Sequence, residues 1–246
     1  MIRSGGSCPD DPWNQEGDMK IRLTRLLLGA SAILAFSLPA AAVQIGFTGG
    51  TVIRNDNSTE TTNNSVVWDN VKAYEESGFR FEYSFNGPPA PFATIIGNYY
   101  GVGNDVIHAH WDSGNFGEVT QIKFTKIDGT AFDLNYFILT SNTDTGGAPA
   151  SGLERVFIHA SVDGTTSSFS QLLPPEDWGF PASQIFLGNQ FDGIKSFWFV
   201  AENAVDCFGM DSFFIDEEAP PRVPEPAVLT LLGLGLAGLM LPRRRK

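Results

Sequence analysis

The sequence predicts an all-β fold, an antiparallel β-sandwich with a jelly-roll-like topology. Phe79–Phe85 alternates aromatic and polar residues, which is typical of a strand with one buried face. Many short runs of β-branched and aromatic residues are separated by turn signals, and 20 phenylalanines are available to fill a core between two sheets. A signal-peptide helix and a single transmembrane helix are expected to flank this sandwich.

The remaining strands follow from similar runs. They are predicted at Val106–Trp111, Val119–Ile127, Phe132–Leu139, Val156–Val162, Ile194–Val200 and Ser212–Ile215. Asp-Gly pairs at 128–129, 163–164 and 192–193 predict tight hairpin turns, and Pro-Pro pairs at 88–89, 174–175 and 220–221 mark loops. A polar loop is predicted over Asn55–Ser65, and Val71–Ser77 is the segment for which a short helix is predicted.

The N-terminal segment has the order of a secretory signal. Lys20, Arg22 and Arg25 precede the apolar run Leu26–Phe36, and small residues follow just before Val43. We therefore expect translation to start at Met19, with residues 1–18 a misassigned upstream start and residues 19–42 a signal peptide. The Sec machinery and signal peptidase are the expected partners, and residues 43–222 form the exported domain.

The C-terminal segment has three parts in a fixed order. Val223–Pro226 comes first, the uncharged apolar run 227–241 follows, and a basic cluster of Arg243, Arg244, Arg245 and Lys246 ends the chain. This tail resembles the PEP-CTERM sorting signal of Gram-negative bacteria. The resemblance implies that an exosortase recognises Pro224, Glu225 and Pro226. It also implies a transmembrane helix over 227–241 that anchors the protein transiently in the inner membrane, with the basic cluster cytoplasmic.

Two internal segments carry a second resemblance. Residues 71–81 and 194–215 resemble the opening and closing strands of the β-sandwich domains that often precede PEP-CTERM tails, some of which look like carbohydrate-binding jelly rolls. The resemblance implies an exported cell-surface or extracellular-matrix protein with a structural or adhesive role in exopolysaccharide or biofilm. A carbohydrate-binding module with structural calcium is the first alternative, and a secreted hydrolase is the second.

Charge and cysteine content restrict the partners. The chain has a net charge of −12, and residues 43–224 carry 23 acidic against 8 basic residues. Such a field disfavours nucleic acid and anionic membrane surfaces.

The two cysteines are Cys8 and Cys207, and loss of the leader would leave Cys207 without an intramolecular partner. We therefore expect Cys207 to be a buried free thiol.

Two groups of residues could hold a metal ion. His108 and His110 would lie on one face of a strand and could bind Zn²⁺ or Cu²⁺, with Asp112 or His159 as a third ligand. Carboxylates near the ends of the domain could bind Ca²⁺. The calcium candidates are Asp211, Asp216 and Glu217, with Glu75 as a weaker one.

The segment 174–181 could bind a glycan. Trp178 offers an aromatic face to a sugar ring, and Glu176 and Asp177 offer acceptors to its hydroxyl groups. The sequence contains no Gly-x-Ser-x-Gly elbow and no His-Glu-x-x-His pair, so we predict no catalytic residue and expect no enzyme. A glycosidase pair such as Glu176 with Asp112 depends on distance in the fold and stays open.

Overall fold

A computed structural model describes residues 42–113, 117–203 and 205–217. The chain divides into two compact units, Met1–Pro39 and Ala40–Lys246, and every described residue lies in the second. The predicted upstream segment, almost all of the signal peptide, Cys8 and the whole C-terminal tail with its apolar run lie outside the described residues. Within the described part of the chain, no helix has both the length and the hydropathy needed to span a bilayer.

The described residues form fifteen strands and one short 3-10 helix, Asn189–Phe191. The strands are β1 (Val43–Ile45), β2 (Thr51–Arg54), β3 (Thr59–Thr61), β4 (Val67–Asp69), β5 (Val71–Glu76), β6 (Phe79–Phe85), β7 (Thr94–Gly97), β8 (Val106–His110), β9 (Val119–Lys126), β10 (Leu134–Thr143), β11 (Arg155–Ser161), β12 (Phe169–Leu172), β13 (Ser183–Phe186), β14 (Ser196–Asn203) and β15 (Cys207–Ile215).

These strands build two antiparallel sheets. A seven-stranded sheet has the order β13-β10-β15-β8-β7-β4, with β1 also paired to β15. An eight-stranded sheet has the order β12-β11-β14-β9-β6-β5-β2-β3. The predicted all-β class with two antiparallel sheets is confirmed. All seven predicted strands are present, Phe79–Phe85 with the predicted ends and the other six with shifted ends.

Two local predictions are wrong. Val71–Ser77 is not a helix, because residues 71–76 form β5, which pairs with β2 on one side and β6 on the other. Val71, Ala73 and Tyr74 are buried in the core, and this burial stabilises the extended conformation more than local helix propensity favours a helix. Asn55–Ser65 is not loop throughout, since β3 lies inside it and pairs with β2.

The Asp-Gly pairs form turns, but they do not close two-residue hairpins. Residues 128–129 connect β9 and β10, which belong to different sheets, and residues 163–164 lie in a longer loop between the paired strands β11 and β12. Asp163 Oδ1 accepts hydrogen bonds from the backbone N–H groups of Thr165 and Thr166, both at 2.7 Å, and these bonds lower the pKa of Asp163. The aspartates therefore stabilise local turns through their own side chains.

The core between the sheets is a cluster of phenylalanine rings centred on Phe213 of β15. Phe213 is fully buried, and its ring centroid lies 5.3 Å from that of Phe137 in its own sheet. Across the core it contacts Phe81 at 5.4 Å, Phe197 at 5.5 Å and Phe124 at 5.6 Å, all from the eight-stranded sheet. One side chain thus joins both sheets through stacked and edge-on aromatic contacts.

Replacing Phe213 by alanine is expected to lower the free energy of unfolding by about 3–5 kcal/mol, because it leaves a cavity among rings that cannot all close in. Urea denaturation followed by tryptophan fluorescence measures the change. Phe186 is the matched control, since 58% of its side chain is exposed at the edge strand β13, and its replacement should cost less than about 1 kcal/mol. Equal losses for the two variants would contradict the central role of Phe213.

Candidate functional site

Strand register brings the candidate residues together on the outer face of the seven-stranded sheet. His108 is the cross-strand partner of Gly209, and His110 is the partner of Cys207. Cross-strand partners in an antiparallel pair point to the same face. The residues that alternate with these four point into the core; they are Ile107, Ala109, Phe208 and Met210. The two histidines and Cys207 therefore lie side by side, away from the core.

The histidine pair is a compact cluster with Cys207. The two imidazole rings lie 5.1 Å apart, as their i, i+2 spacing on a strand predicts. His110 Nδ1 lies 3.6 Å from Cys207 Sγ and 3.3 Å from Asp206 Oδ1. Among the described residues, His108, His110 and Cys207 offer three ligand atoms that all lie within 4.8 Å of one another.

Neither Asp112 nor His159, the third ligands considered from the sequence, is in the cluster with the histidine pair. His159 lies on β11 of the eight-stranded sheet, where its ring stacks on Trp198. Asp112 follows β8 and is exposed. Cys207 occupies the neighbouring position on β15 instead, because the β8–β15 register sets it beside His110.

His108 is fully buried beneath two tyrosines. Its ring lies 4.4 Å from that of Tyr99, and the Tyr100 hydroxyl lies 3.4 Å from Nδ1. The Nε2 atom is buried and has no hydrogen-bond partner in the described structure. Burial, and secondarily the neighbouring His110, hold the pKa of His108 well below its usual value of 6.5. The imidazole is therefore neutral at physiological pH, with a buried nitrogen left without a partner.

Cys207 is the buried free thiol that the sequence predicts, with 1% of its surface exposed. Burial, and then the nearby Asp206 carboxylate, raise the pKa of the thiol to about 12. Without a cation beside it, Cys207 is thus protonated and a poor nucleophile.

Gly209 makes room for the tyrosine that covers the histidines. A Cβ atom at this position would lie 2.7 Å from the Tyr100 hydroxyl oxygen and 2.7 Å from Thr140 Oγ1. The Tyr100 hydroxyl contacts Thr140 Oγ1 at 3.2 Å and Ser141 Oγ at 3.3 Å. A glycine is needed here for close approach rather than for an unusual backbone angle.

Two adjoining clefts open above this cluster. One, of about 580 Å³, is lined among others by Phe92, Tyr99, His110, Asp206 and Cys207. The other, of about 570 Å³, is lined mainly by the segments 147–149 and 175–183. Trp178 and Gly147 line both clefts, so the two clefts adjoin at these residues, and we call them together the depression.

Aromatic side chains dominate the rim of this depression. Phe92 is 58% exposed and Phe180 is 40% exposed. The Trp178 ring lies 4.8 Å from that of Tyr100, edge to face, and 5.9 Å from that of Tyr99. Trp178 is half-buried, so one part of the indole is held by the tyrosines while another part faces the clefts.

Glu176 and Asp177 precede Trp178 in the segment for which glycan binding is predicted. Both carboxylates line the cleft of about 570 Å³. Burial raises the pKa of Glu176, and the charge of Asp177 adds to this. Asp177 Oδ1 accepts a hydrogen bond from the Ala150 N–H at 2.8 Å, which ties the loop to its neighbour. Asp112, the other half of the glycosidase pair considered from sequence, is not among the residues lining either cleft.

The calcium candidates are not gathered around one point. Asp211 lies inside β15 and is 8% exposed, whereas Asp216 and Glu217 follow the end of that strand. Five residues of extended chain separate Asp211 from Asp216 by about 16 Å. Asp216 Oδ1 accepts a hydrogen bond from the Asp133 N–H, and Glu75 forms an ion pair with Arg80 on β6. Calcium binding by these residues stays a prediction.

Comparison with known proteins identifies the C-terminal tail. Residues 222–246 match the family model of the PEP-CTERM protein-sorting motif. The chain carries a PEP-CTERM sorting motif. The matched segment includes Pro224, Glu225 and Pro226 together with the basic cluster 243–246. The predicted resemblance is confirmed, and it implies export and a membrane-anchored C-terminal sorting signal.

Two further comparisons extend beyond the C-terminal tail. Comparison with curated proteins finds no match. Among solved structures, the chain is similar to CBM29_1, a family 29 carbohydrate binding module from Piromyces equi. The two share 9% sequence identity and a TM-score of 0.35, over 72% of this chain and 93% of that one.

Four residues of this region are not among the metal-binding or glycan-binding residues that the sequence predicts. Cys207, Asp206, Tyr99 and Tyr100 all lie at the clefts or beside the histidines. A signal for Cys207 was present, because Cys207-Phe208-Gly209-Met210 alternates small and large residues and so places the small ones on one face. No local pattern marks the tyrosines, since only the fold sets the loop after β7 over β8.

Gly209→Ala is expected to lower the free energy of unfolding by about 1–3 kcal/mol, because the new methyl group displaces Tyr100 from Thr140. The near-ultraviolet circular dichroism of the tyrosines should change as well. Gly46→Ala is the matched control, since the nearest atom to a Cβ there, Ser212 Oγ, is 4.0 Å away. An unchanged aromatic signal in Gly209→Ala would contradict the close fit of Tyr100.

The buried His108 is expected to make the protein less stable as the pH falls below about 6.5. Below pH 6.5 the imidazole of residue 108 is protonated in the unfolded state, whereas burial disfavours its protonation in the folded state. The residue therefore contributes stability above its unfolded pKa, and this contribution is lost as the pH falls. The free energy of unfolding decreases by up to about 1.4 kcal/mol per pH unit. Buried Glu76, Asp105 and Asp211 have raised pKa values and act in the opposite sense at lower pH.

The measurement is urea denaturation between pH 7.5 and 5, in a chelator, for the unchanged protein and His108→Gln. Since both share the carboxylates, the difference between the two curves isolates His108. The difference should shrink as the pH falls through this range. A difference that does not vary with pH would show that His108 is not held neutral.

Proposed function

We propose that this chain is an exported cell-surface protein, processed by an exosortase, whose jelly-roll-like sandwich binds polysaccharide of the extracellular matrix. The observation that carries the proposal is Trp178, which lines both clefts of the depression. A structural or adhesive role then follows from binding, because a displayed domain that holds a matrix polymer fastens the cell to that polymer.

The chemistry of the depression supports a carbohydrate ligand. Trp178 lines both clefts, and Phe92 and Phe180 are exposed at them, so these rings offer apolar surface to a sugar ring. Glu176 and Asp177 offer acceptors to sugar hydroxyl groups. A concave site with aromatic walls and a few polar groups is the usual form of a small-ligand site.

The charge of the depression favours a neutral polysaccharide. The acidic residues that line it are Asp144, Glu176, Asp177 and Asp206, and no lysine or arginine is among the described residues lining either cleft. A polymer rich in uronic acid or sulfate would meet like charge in addition to the acidic surface of the whole domain. Neutral hexose polymers meet no such barrier.

The route to the surface belongs to the same proposal. Cleavage before Val43 would free the domain from its leader, and cleavage near Pro224–Pro226 would release it from the membrane. The basic residues 243–246 would stay cytoplasmic until then, which keeps the domain on the opposite side of the membrane. Membrane residence is on this account a stage of export.

Trp178→Ala is expected to weaken polysaccharide binding by about 30-fold or more, the effect of removing a central aromatic contact worth roughly 2 kcal/mol. The purified protein is first screened on an array of neutral and acidic glycans. The affinity for the best neutral glycan is then measured by isothermal titration calorimetry for the unchanged protein and the variant.

The control for this experiment is Trp198→Ala, which removes a tryptophan from β14 of the other sheet. Circular dichroism first checks that both variants are folded. Binding should survive in Trp198→Ala and be lost in Trp178→Ala. No glycan bound by the unchanged protein, or equal binding by the two variants, would contradict the proposal.

A further inference from the structure

We propose that His108, His110, Cys207 and Asp206 form a zinc site at the base of the depression. The first three offer ligand atoms within 4.8 Å of one another, and Asp206 Oδ1 lies 3.3 Å from His110 Nδ1. The four side chains come from two adjacent strands and the residue just before β15. Zinc binding here would not require a bound glycan, since the donor atoms lie on the floor of the depression and none comes from the Trp178 loop.

Two of the distances between donor atoms agree with tetrahedral coordination. With Zn–N near 2.05 Å and Zn–S near 2.3 Å, nitrogen and sulfur ligands lie about 3.6 Å apart around the ion. His110 Nδ1 and Cys207 Sγ are separated by 3.6 Å. The same geometry places nitrogen and carboxylate oxygen about 3.3 Å apart, and His110 Nδ1 and Asp206 Oδ1 are separated by 3.3 Å.

His108 supplies the fourth donor from below. Its Nδ1 faces the Tyr100 hydroxyl at 3.4 Å, and this contact orients the ring as partners of metal-bound histidines commonly do. Its Nε2 is buried and has no hydrogen-bond partner in the described structure. In the tautomer whose Nδ1–H donates to the Tyr100 hydroxyl, the Nε2 lone pair has no partner, and coordination would satisfy it.

Charge also fits a divalent cation. Histidine binds a metal as the neutral imidazole and cysteine binds it as the thiolate. Cys207 as thiolate and Asp206 as carboxylate would together carry two negative charges, which match the charge of the ion.

The donor set selects among metals. Two imidazoles and a thiolate suit borderline and soft ions, which excludes Ca²⁺ and Mg²⁺ because these take oxygen ligands. Zinc accepts nitrogen, sulfur and oxygen in one tetrahedron. The ion can enter from outside, because His110, Asp206 and Cys207 all line the open cleft of about 580 Å³.

Cobalt titration of the unchanged full chain, purified in detergent and stripped with a chelator, tests the proposal. We expect one Co²⁺ per chain, the intense visible bands of tetrahedral cobalt and a near-ultraviolet cobalt–thiolate charge-transfer band. Added Zn²⁺ should abolish both, since zinc binds such sites more tightly than cobalt. Absence of uptake, or uptake without the thiolate band, overturns the site. Uptake of Cu²⁺ while Co²⁺ and Zn²⁺ fail to bind overturns the assignment to zinc.

Variants assign the ligands. Cys207→Ser should remove the charge-transfer band, and Asp206→Asn should weaken zinc affinity by at least the roughly 10–100-fold seen when an outer-shell partner is lost. His159→Gln is the matched control on the opposite sheet and should bind as the unchanged protein does. Unchanged cobalt spectra in Cys207→Ser would overturn the proposal.

A measurement on the unchanged protein covers the case in which Cys207→Ser fails to fold. Zinc should slow alkylation of Cys207 by iodoacetamide under mild denaturation, as followed by mass spectrometry of the peptide that contains this residue. Equal alkylation rates with zinc and with chelator would count against coordination by the sulfur.

Discussion

The pairing of β15 with β8 and β10 is the constraint on which both the core and the site depend. One face of β15 carries Phe208 and Met210 into the space between the sheets, and past the register shift at Phe137 and Leu139, Phe213 points there as well. The other face carries Cys207 and Gly209 to the outside. A slip of one residue would exchange the two faces, burying the thiol side and exposing phenylalanine. The hydrophobic core therefore fixes the register, and the register in turn places Cys207 against His110.

Irregular pairing between β10 and β15 adapts the sheet to the site. The register shifts three times, between Leu134 and Tyr136, between Phe137 and Leu139, and between Leu139 and Ser141. Such shifts twist a strand locally and re-aim its side chains. At and beyond the last shift, four consecutive polar residues of β10 are buried, and they are Thr140, Ser141, Asn142 and Thr143. Thr140 and Ser141 contact the Tyr100 hydroxyl, so the irregular segment of β10 supplies the hydrogen-bond partners of this tyrosine.

Much of the fold follows from the sequence, and less of the site does. Alternation over Phe79–Phe85 and a rich supply of phenylalanine predict the sandwich, because strand period and burial are local and additive properties. The helix predicted over Val71–Ser77 is wrong, because pairing with a strand on each side, rather than the segment's own residues, stabilises the extended conformation. His108 and His110 are predictable as a pair because two residues on one strand share a face. Cys207 is not, because it lies nearly a hundred positions away in the chain and reaches His110 only through pairing.

The outer face of the seven-stranded sheet is unlike the usual solvent-facing side of a sandwich. Loops after β7 and β12 lay Tyr99, Tyr100 and Trp178 over it, so that His108 is as buried as any core residue. The Tyr100 ring contacts both the His108 ring and the Trp178 ring, so the three form a continuous row of contacts. An ion that fixed His108 would therefore limit the motion of Tyr100, and through it the indole that lines both clefts. Because a ligand binds a rigid aromatic surface at a smaller cost in entropy, the floor of the depression would pre-organise its walls.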